Sequence, residues 1–221
     1  MKPDNTETRS PPADFAPMRI GEHAALDFLN SVVAPSGETF DFCYDGDALM
    51  RWLEGVKIAS ATAIATTQSL TPKQRDRLAA DMRSLREWFR QLVLRWSAVG
   101  VRAIRATDIA HLNALMAQSP TVEVLEREPE GVVLRAQPIR AGTSALLGQI
   151  ATICAELLAQ QPFENVRKCE NPACTVLFAD NKRGSVRRWC SMSVCGNRMK
   201  VAAHRARQRS AESASDQRSG P

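Results

Sequence analysis

Four cysteines near the C-terminal end, Cys169, Cys174, Cys190 and Cys195, constrain this chain more than any other feature. They form two pairs, each with four residues between its members and fifteen residues between the pairs. A segment this short cannot bury a core of its own, but four thiolates closing on one metal ion can fold it. The competing readings are four unrelated buried thiols or two disulfides. The matched spacing and the polar surroundings favour one structural zinc ion with a closed shell and no site for an activated water. His204 follows nine residues after Cys195 and is not needed as a ligand.

Charge is distributed as unevenly as the cysteines. Residues 1–164 hold 17 Lys/Arg and 20 Asp/Glu, whereas residues 165–210 hold 11 Lys/Arg and 2 Asp/Glu. A near-neutral body with a basic end implies an anionic partner that the end alone touches. The start, Met1–Asn5, carries no apolar signal segment, and no run of about eighteen apolar residues occurs, so the expectation is a cytoplasmic protein without a membrane partner. In that setting thiols stay reduced, which again favours metal. Cys43 and Cys154, far from the cluster, read as small buried hydrophobes.

With 44% apolar residues, the larger part can bury a real core. The pattern is mainly α: a helical N-terminal domain with one β-hairpin, followed by a small treble-clef-like or ribbon-like zinc finger. Residues 1–14, with three prolines, read as a disordered lead; 15–164 as the helical domain; 165–209 as the finger; and 210–221 as a disordered tail. Helices are expected over His23–Val33, after the Asp45 cap as far as Gly55, from Thr71 to Gly100, from Thr107-Asp108 to Ser119-Pro120, and from Thr143 or Ser144 to Gln161-Pro162. The strongest is the third. It starts with Thr71-Pro72-Lys73-Gln74 and carries Leu78, Met82, Leu85, Phe89, Leu92 and Trp96 at helical steps. Its arginines lie mostly off that stripe and read as a solvated face. Val122 to Arg135, around Glu128-Pro129-Glu130-Gly131, reads as the hairpin. Val56–Ser69, rich in Ala and Thr, gives no clear period.

In the finger, the spacing predicts a tight first knuckle, a strand at Val176–Phe178, a turn at Asn181-Lys182-Arg183-Gly184, a returning strand at Val186–Trp189 and a helix after Cys195. On that helix Arg198, Arg205 and Arg209 fall within about 20° of one line, with Lys200 and Arg207 on the far side. Between them a strip of Met199, Ala202, Ala203 and Ala206 is expected to pack on the hairpin. With Arg187 and Arg188, these cations make the candidate nucleic-acid surface. A helix of this kind suits the major groove of double-stranded DNA, although RNA stays open as a target; the module has no array of aromatics for single strands. An acidic protein is the alternative partner, which would make the chain an adaptor. In the body, His23, Asp27 and Asn30 share one helical face and form a candidate ligand pocket, against the plainer reading of a hydrogen-bonded helix start. No hydrolytic, nucleotide-binding or nucleophile motif occurs, so an enzyme in the body is the least favoured class.

The string Arg188-Trp189-Cys190-Ser191-Met192-Ser193-Val194-Cys195-Gly196-Asn197-Arg198-Met199-Lys200 resembles the CGNR zinc finger, whose pattern Cys169, Cys174, Leu177-Phe178 and Asp180 also match. The body resembles the ABATE domain that precedes this finger. The matching stretches are Ala25-Leu26-Asp27-Phe28-Leu29-Asn30-Ser31, with Ser31 in place of the commoner Thr, Leu49-Met50-Arg51-Trp52-Leu53, Leu85-Arg86-Glu87, Leu112-Asn113 and Glu156-Leu157-Leu158-Ala159. The resemblance implies a bacterial stress-related transcription regulator with a zinc-binding, DNA-binding C-terminus; the leading reading adds a body that senses a small-molecule or protein effector. The resemblance also suggests close backbone approach at Gly196, a cap or cross-link through the Asn197 amide, and for Arg198 either a brace to an acid such as Asp180 or a phosphate contact.

Overall fold

A computed structural model describes residues 8–34, 38–139, 142–181 and 186–216. The expected disordered lead is corrected from residue 8 onward; residues 1–7 lie outside the described residues. β1 (Thr8–Arg9) runs parallel to β3 (Thr39–Asp41), and β2 (Val32–Val33) pairs antiparallel with the other edge of β3. Pro11 is buried and its carbonyl accepts from Arg51 Nη2 at 2.8 Å. The Phe15 ring lies 5.3 Å from Phe40 and 6.0 Å from Phe42. A strand edge and one aromatic anchor outweigh the chain entropy of a polar, proline-rich lead.

α1 is shorter than its apolar spacing suggests and spans Ala24–Leu29. Beyond it, Val32 and Val33 pair with Asp41 and Phe40, the extended role that β-branched residues favour. α2 (Gly46–Val56) begins where Asp45 accepts from Ala48 N at 2.7 Å. Lys57 in the left-handed region ends it, not Gly55. Gly55 stays helical and serves packing instead: Pro17 lies so close that a Cβ there would meet its Cγ at 2.9 Å. α3 (Ala61–Gln68), illegible in the sequence, is started by Ser60, whose Oγ accepts from Ala63 N at 3.2 Å.

α4 (Pro72–Val99) has the expected capping box and ends at Gly100, φ 73°. α5 (Ala106–Met116) starts one residue before the expected Thr107 because Asp108 reaches back to accept the Arg105 N–H at 3.0 Å. β4 (Thr121–Glu128) and β5 (Gly131–Pro138) form the expected hairpin, Glu128 opposite Gly131. α6 (Thr143–Gln160) stops before Pro162.

α4 is the axis of the core. All six stripe residues are buried, and α1, α2 and α6 pack on it with Leu26, Trp52, Ile150 and Leu157. Cys43 and Cys154 are buried as small hydrophobes, and burial pushes the Cys43 thiol up to about 11. The arginines of α4 correct the expectation of a solvated face. Arg86 is 1% exposed; it holds Asp41 through two bonds, at 2.6 and 2.8 Å, and the Ser31 hydroxyl at 2.9 Å. Asp41 sits forty-five residues away, so no local pattern announces the pair. Breaking one side of such a buried pair costs about 3–5 kcal/mol.

The C-terminal segment adds β6 (Val166–Lys168) and β7 (Leu177–Ala179), antiparallel, with the first cysteine pair in their loop. The expected returning strand at Val186–Trp189 is corrected: β7 takes the preceding β6 as its partner. Val186–Trp189 is held by single contacts instead, Glu170 N to Arg188 O at 3.0 Å and Arg187 N to Asp180 Oδ2 at 2.8 Å. The expected turn residues Lys182, Arg183 and Gly184 lie outside the described residues. α7 (Asn197–Asp216) closes the chain, so the helix runs through the start of the tail expected to be disordered; residues 217–221 lie outside the described residues. Among the described residues no helix is long and apolar enough to cross a membrane.

Candidate metal centre and cationic helix

Local chain geometry delivers the four sulfurs to one point. In the first knuckle Asn171 Oδ1 accepts from Ala173 N at 3.2 Å, and its carbonyl accepts from Cys174 N at 2.9 Å, which folds Cys174 back toward Cys169. Of the second pair, Cys190 precedes and Cys195 lies on a wide π turn, Met192–Gly196, started by Ser191 Oγ accepting from Val194 N at 3.3 Å. At Gly196 a Cβ would stand 2.3 Å from Met192 Sδ and 3.1 Å from Trp189 Cδ1, which agrees with the close approach expected there. Asn197 Nδ2 ties the turn by donating to Ser193 O at 3.2 Å.

All four Sγ atoms lie within 4.8 Å of one another. Cys174 to Cys190 is 3.8 Å and Cys190 to Cys195 is 3.5 Å. Four thiolates about 2.3 Å from a tetrahedral zinc stand about 3.8 Å apart, so the donor set fits. The crowding splits the thiols. The hydrogen bond from Cys190 pulls Cys174 down to about 5, and the same contact pushes Cys190 far above the thiol range. N–H groups support the sulfurs: Cys190 N donates to Cys169 Sγ at 3.5 Å, and Asn171 Nδ2 to Cys195 Sγ at 3.4 Å. Asn171, 3% exposed, escaped the sequence reading; a polar residue just after a ligand in a tight knuckle was its only signal.

The finger is pinned to the body. Asn30 Nδ2 donates to Leu177 O at 2.7 Å, and Asn30 Oδ1 accepts from Leu177 N at 3.0 Å. Ala179 N donates to Gly21 O at 2.8 Å. Arg90 bonds Leu29 O in the body and Thr175 O in the finger. Val166, Leu177 and Ala179 belong to the body's core. The three candidate pocket residues therefore separate. His23 caps α1 by accepting from Ala25 N at 3.1 Å, and Asp27 accepts from Gly21 N at 2.9 Å. Both line a depression of about 530 Å³ with Arg19, Glu22 and Ile58, while Asn30 serves the seam. Burial lowers the His23 pKa and raises that of Asp27.

The seven cationic residues also sort themselves. Arg187 is a clamp: its guanidinium lies 4.3 Å over Phe178, Nε donates to Trp189 O at 3.0 Å, Nη2 to Cys190 O and Nη1 to Glu22 at 3.2 Å. Arg188 is exposed, pairs with Glu170 at 2.7 Å and sits 5.0 Å over Trp189. Arg198, Lys200, Arg205, Arg207 and Arg209 are exposed along α7. Asp180 accepts from the Arg187 backbone, and no bond joins it to Arg198 among the described residues. The expected apolar strip does not pack. Met199 is half-buried, but Ala202, Ala203 and Ala206 are exposed, because β7 turns its apolar face to the body and leaves nothing for them to cover.

Comparison with known families places these features. A family model described as "Putative stress-induced transcription regulator", ABATE, matches residues 22–161, and the CGNR zinc finger matches residues 165–208. No curated protein matches the chain. Both families are of regulator and zinc-finger type rather than enzyme families. With the family and the sulfur geometry in agreement, Cys169, Cys174, Cys190 and Cys195 hold one structural zinc ion. The chain belongs to the ABATE family and carries a C-terminal CGNR zinc finger.

Proposed function

We propose that the chain binds double-stranded DNA through α7 and that its body, residues 15–164, governs that binding in response to an effector. The finger, residues 165–209, is the reading unit. The observation that carries the reading is the exposed helix, which presents Arg198, Arg205 and Arg209 along one edge and Lys200 and Arg207 along the other. A major groove about 12 Å wide admits one helix and offers a phosphate wall on each side. Cations on opposite edges match two walls; an acidic protein surface would meet one edge only. The zinc site supplies rigidity and no chemistry, since its shell is complete with sulfur. The depression at His23 and Asp27 is the candidate effector site, and the pinned seam gives it a path to the finger.

Fluorescence anisotropy of a random duplex, titrated at several salt concentrations, tests the reading. Four to five phosphate contacts give a log–log salt slope of roughly −4. No duplex binding at about 50 mM salt would defeat it.

A further inference from the structure

The β4–β5 hairpin stands off the body, and among the described residues no other element packs closely on it. A two-stranded hairpin is marginal in water unless a hydrophobic face is covered. Its two faces differ. One carries Val124, Glu126, Val133, Arg135 and Gln137, where Arg135 pairs with Glu126 and Glu128, and Gln137 bonds Glu126. The other carries Leu125, Leu134 and Val132, exposed by 69%, 64% and 64%, together with Ala136. Glu123 and Arg127 flank Leu125 on that face, and among the described residues neither has a partner.

This second face complements itself. A two-fold axis through the Leu125–Leu134 pair, across the strands, sets β4 antiparallel to β4 of another copy. Leu125 then meets Leu125, Leu134 meets Leu134, and the larger Val132 meets the smaller Ala136. Glu123 and Arg127 stand four residues apart, about 14 Å, so each faces its opposite charge in the second copy. With the axis along the strands, Glu123 would meet Ala136 and the charges would stay unpaired.

We propose that this hairpin face is an isologous interface between two copies of the chain. Each copy contributes about 270 Å², a third of what a stable complex uses, so the dimer forms with a Kd of roughly 10 µM to 1 mM in solution. The interface does not depend on DNA binding. Two copies held on one duplex would meet at a raised effective concentration and bind cooperatively.

Sedimentation equilibrium up to about 1 mM protein, without DNA, tests it. The wild-type mass is expected to rise toward that of a dimer. Glu123→Arg and Arg127→Glu, both on exposed residues, are each expected to stay monomeric with unchanged circular dichroism. Mixed one to one, they should recover the dimer, because both cross-pairs become attractive; the double variant should recover it alone. A monomeric wild type, single variants that associate like wild type, or a mixture that stays monomeric would each overturn the proposal.

Discussion

α4 and α7 are both arginine-rich, yet they use their arginines in opposite ways. On α4, Arg86 is buried against Asp41 and Arg90 bridges body and finger, with a carboxylate and carbonyls accepting their hydrogen bonds. On α7, Arg198, Arg205, Arg207 and Arg209 are exposed. The difference lies in what surrounds each helix: α4 carries an apolar stripe that draws other elements around it, and α7 has none wide enough. Arginine count therefore says little about nucleic acid. Burial and partners decide whether a guanidinium holds the fold together or meets a ligand.

Substitutions can break or sharpen this contrast. Arg86→Met strands Asp41 in the core and should cost about 3–5 kcal/mol in urea unfolding. A loss under 1 kcal/mol would show that the pair is dispensable. Asn30→Ala leaves the buried N–H and C=O of Leu177 without partners and should cost about 2–4 kcal/mol. Hydrogen exchange at the β7 amides should rise before that of the α4 amides. Arg187→Ala, although it lies in the basic segment, should behave like an α4 variant and lose about 2–3 kcal/mol, since it clamps Phe178 and two carbonyls. The double change Arg205→Ala with Arg209→Ala should leave stability within about 0.5 kcal/mol. The same change should make the salt slope of duplex binding shallower by about 2. If its stability fell as far as that of Arg86→Met, the two helices would not differ in the way described.

Much of this was legible from local pattern. The α4 stripe, its capping box and Gly100, the hairpin turn and the four cysteines each declare themselves within a few residues. What stayed hidden depends on distant partners. β7 chose β6 over the expected later strand because β6 precedes it across a short knuckle. Arg86 looked solvated because Asp41 is remote in sequence. α1 stopped early because Val32 and Val33 pair with β3, whose residues follow only later in the chain. α3 lacked a signal because Ala and Thr give no apolar period. His23, Asp27 and Asn30 do share a helical face in sequence, but Asn30 is taken up by the seam.

The account rests on zinc gripped by Cys169, Cys174, Cys190 and Cys195, because that grip shapes the base from which α7 projects. Native mass spectrometry of the folded chain tests it most directly. One zinc per chain, lost in Cys190→Ser together with duplex binding, is the predicted result. A metal-free chain that keeps its folded finger and binds DNA equally well would contradict it.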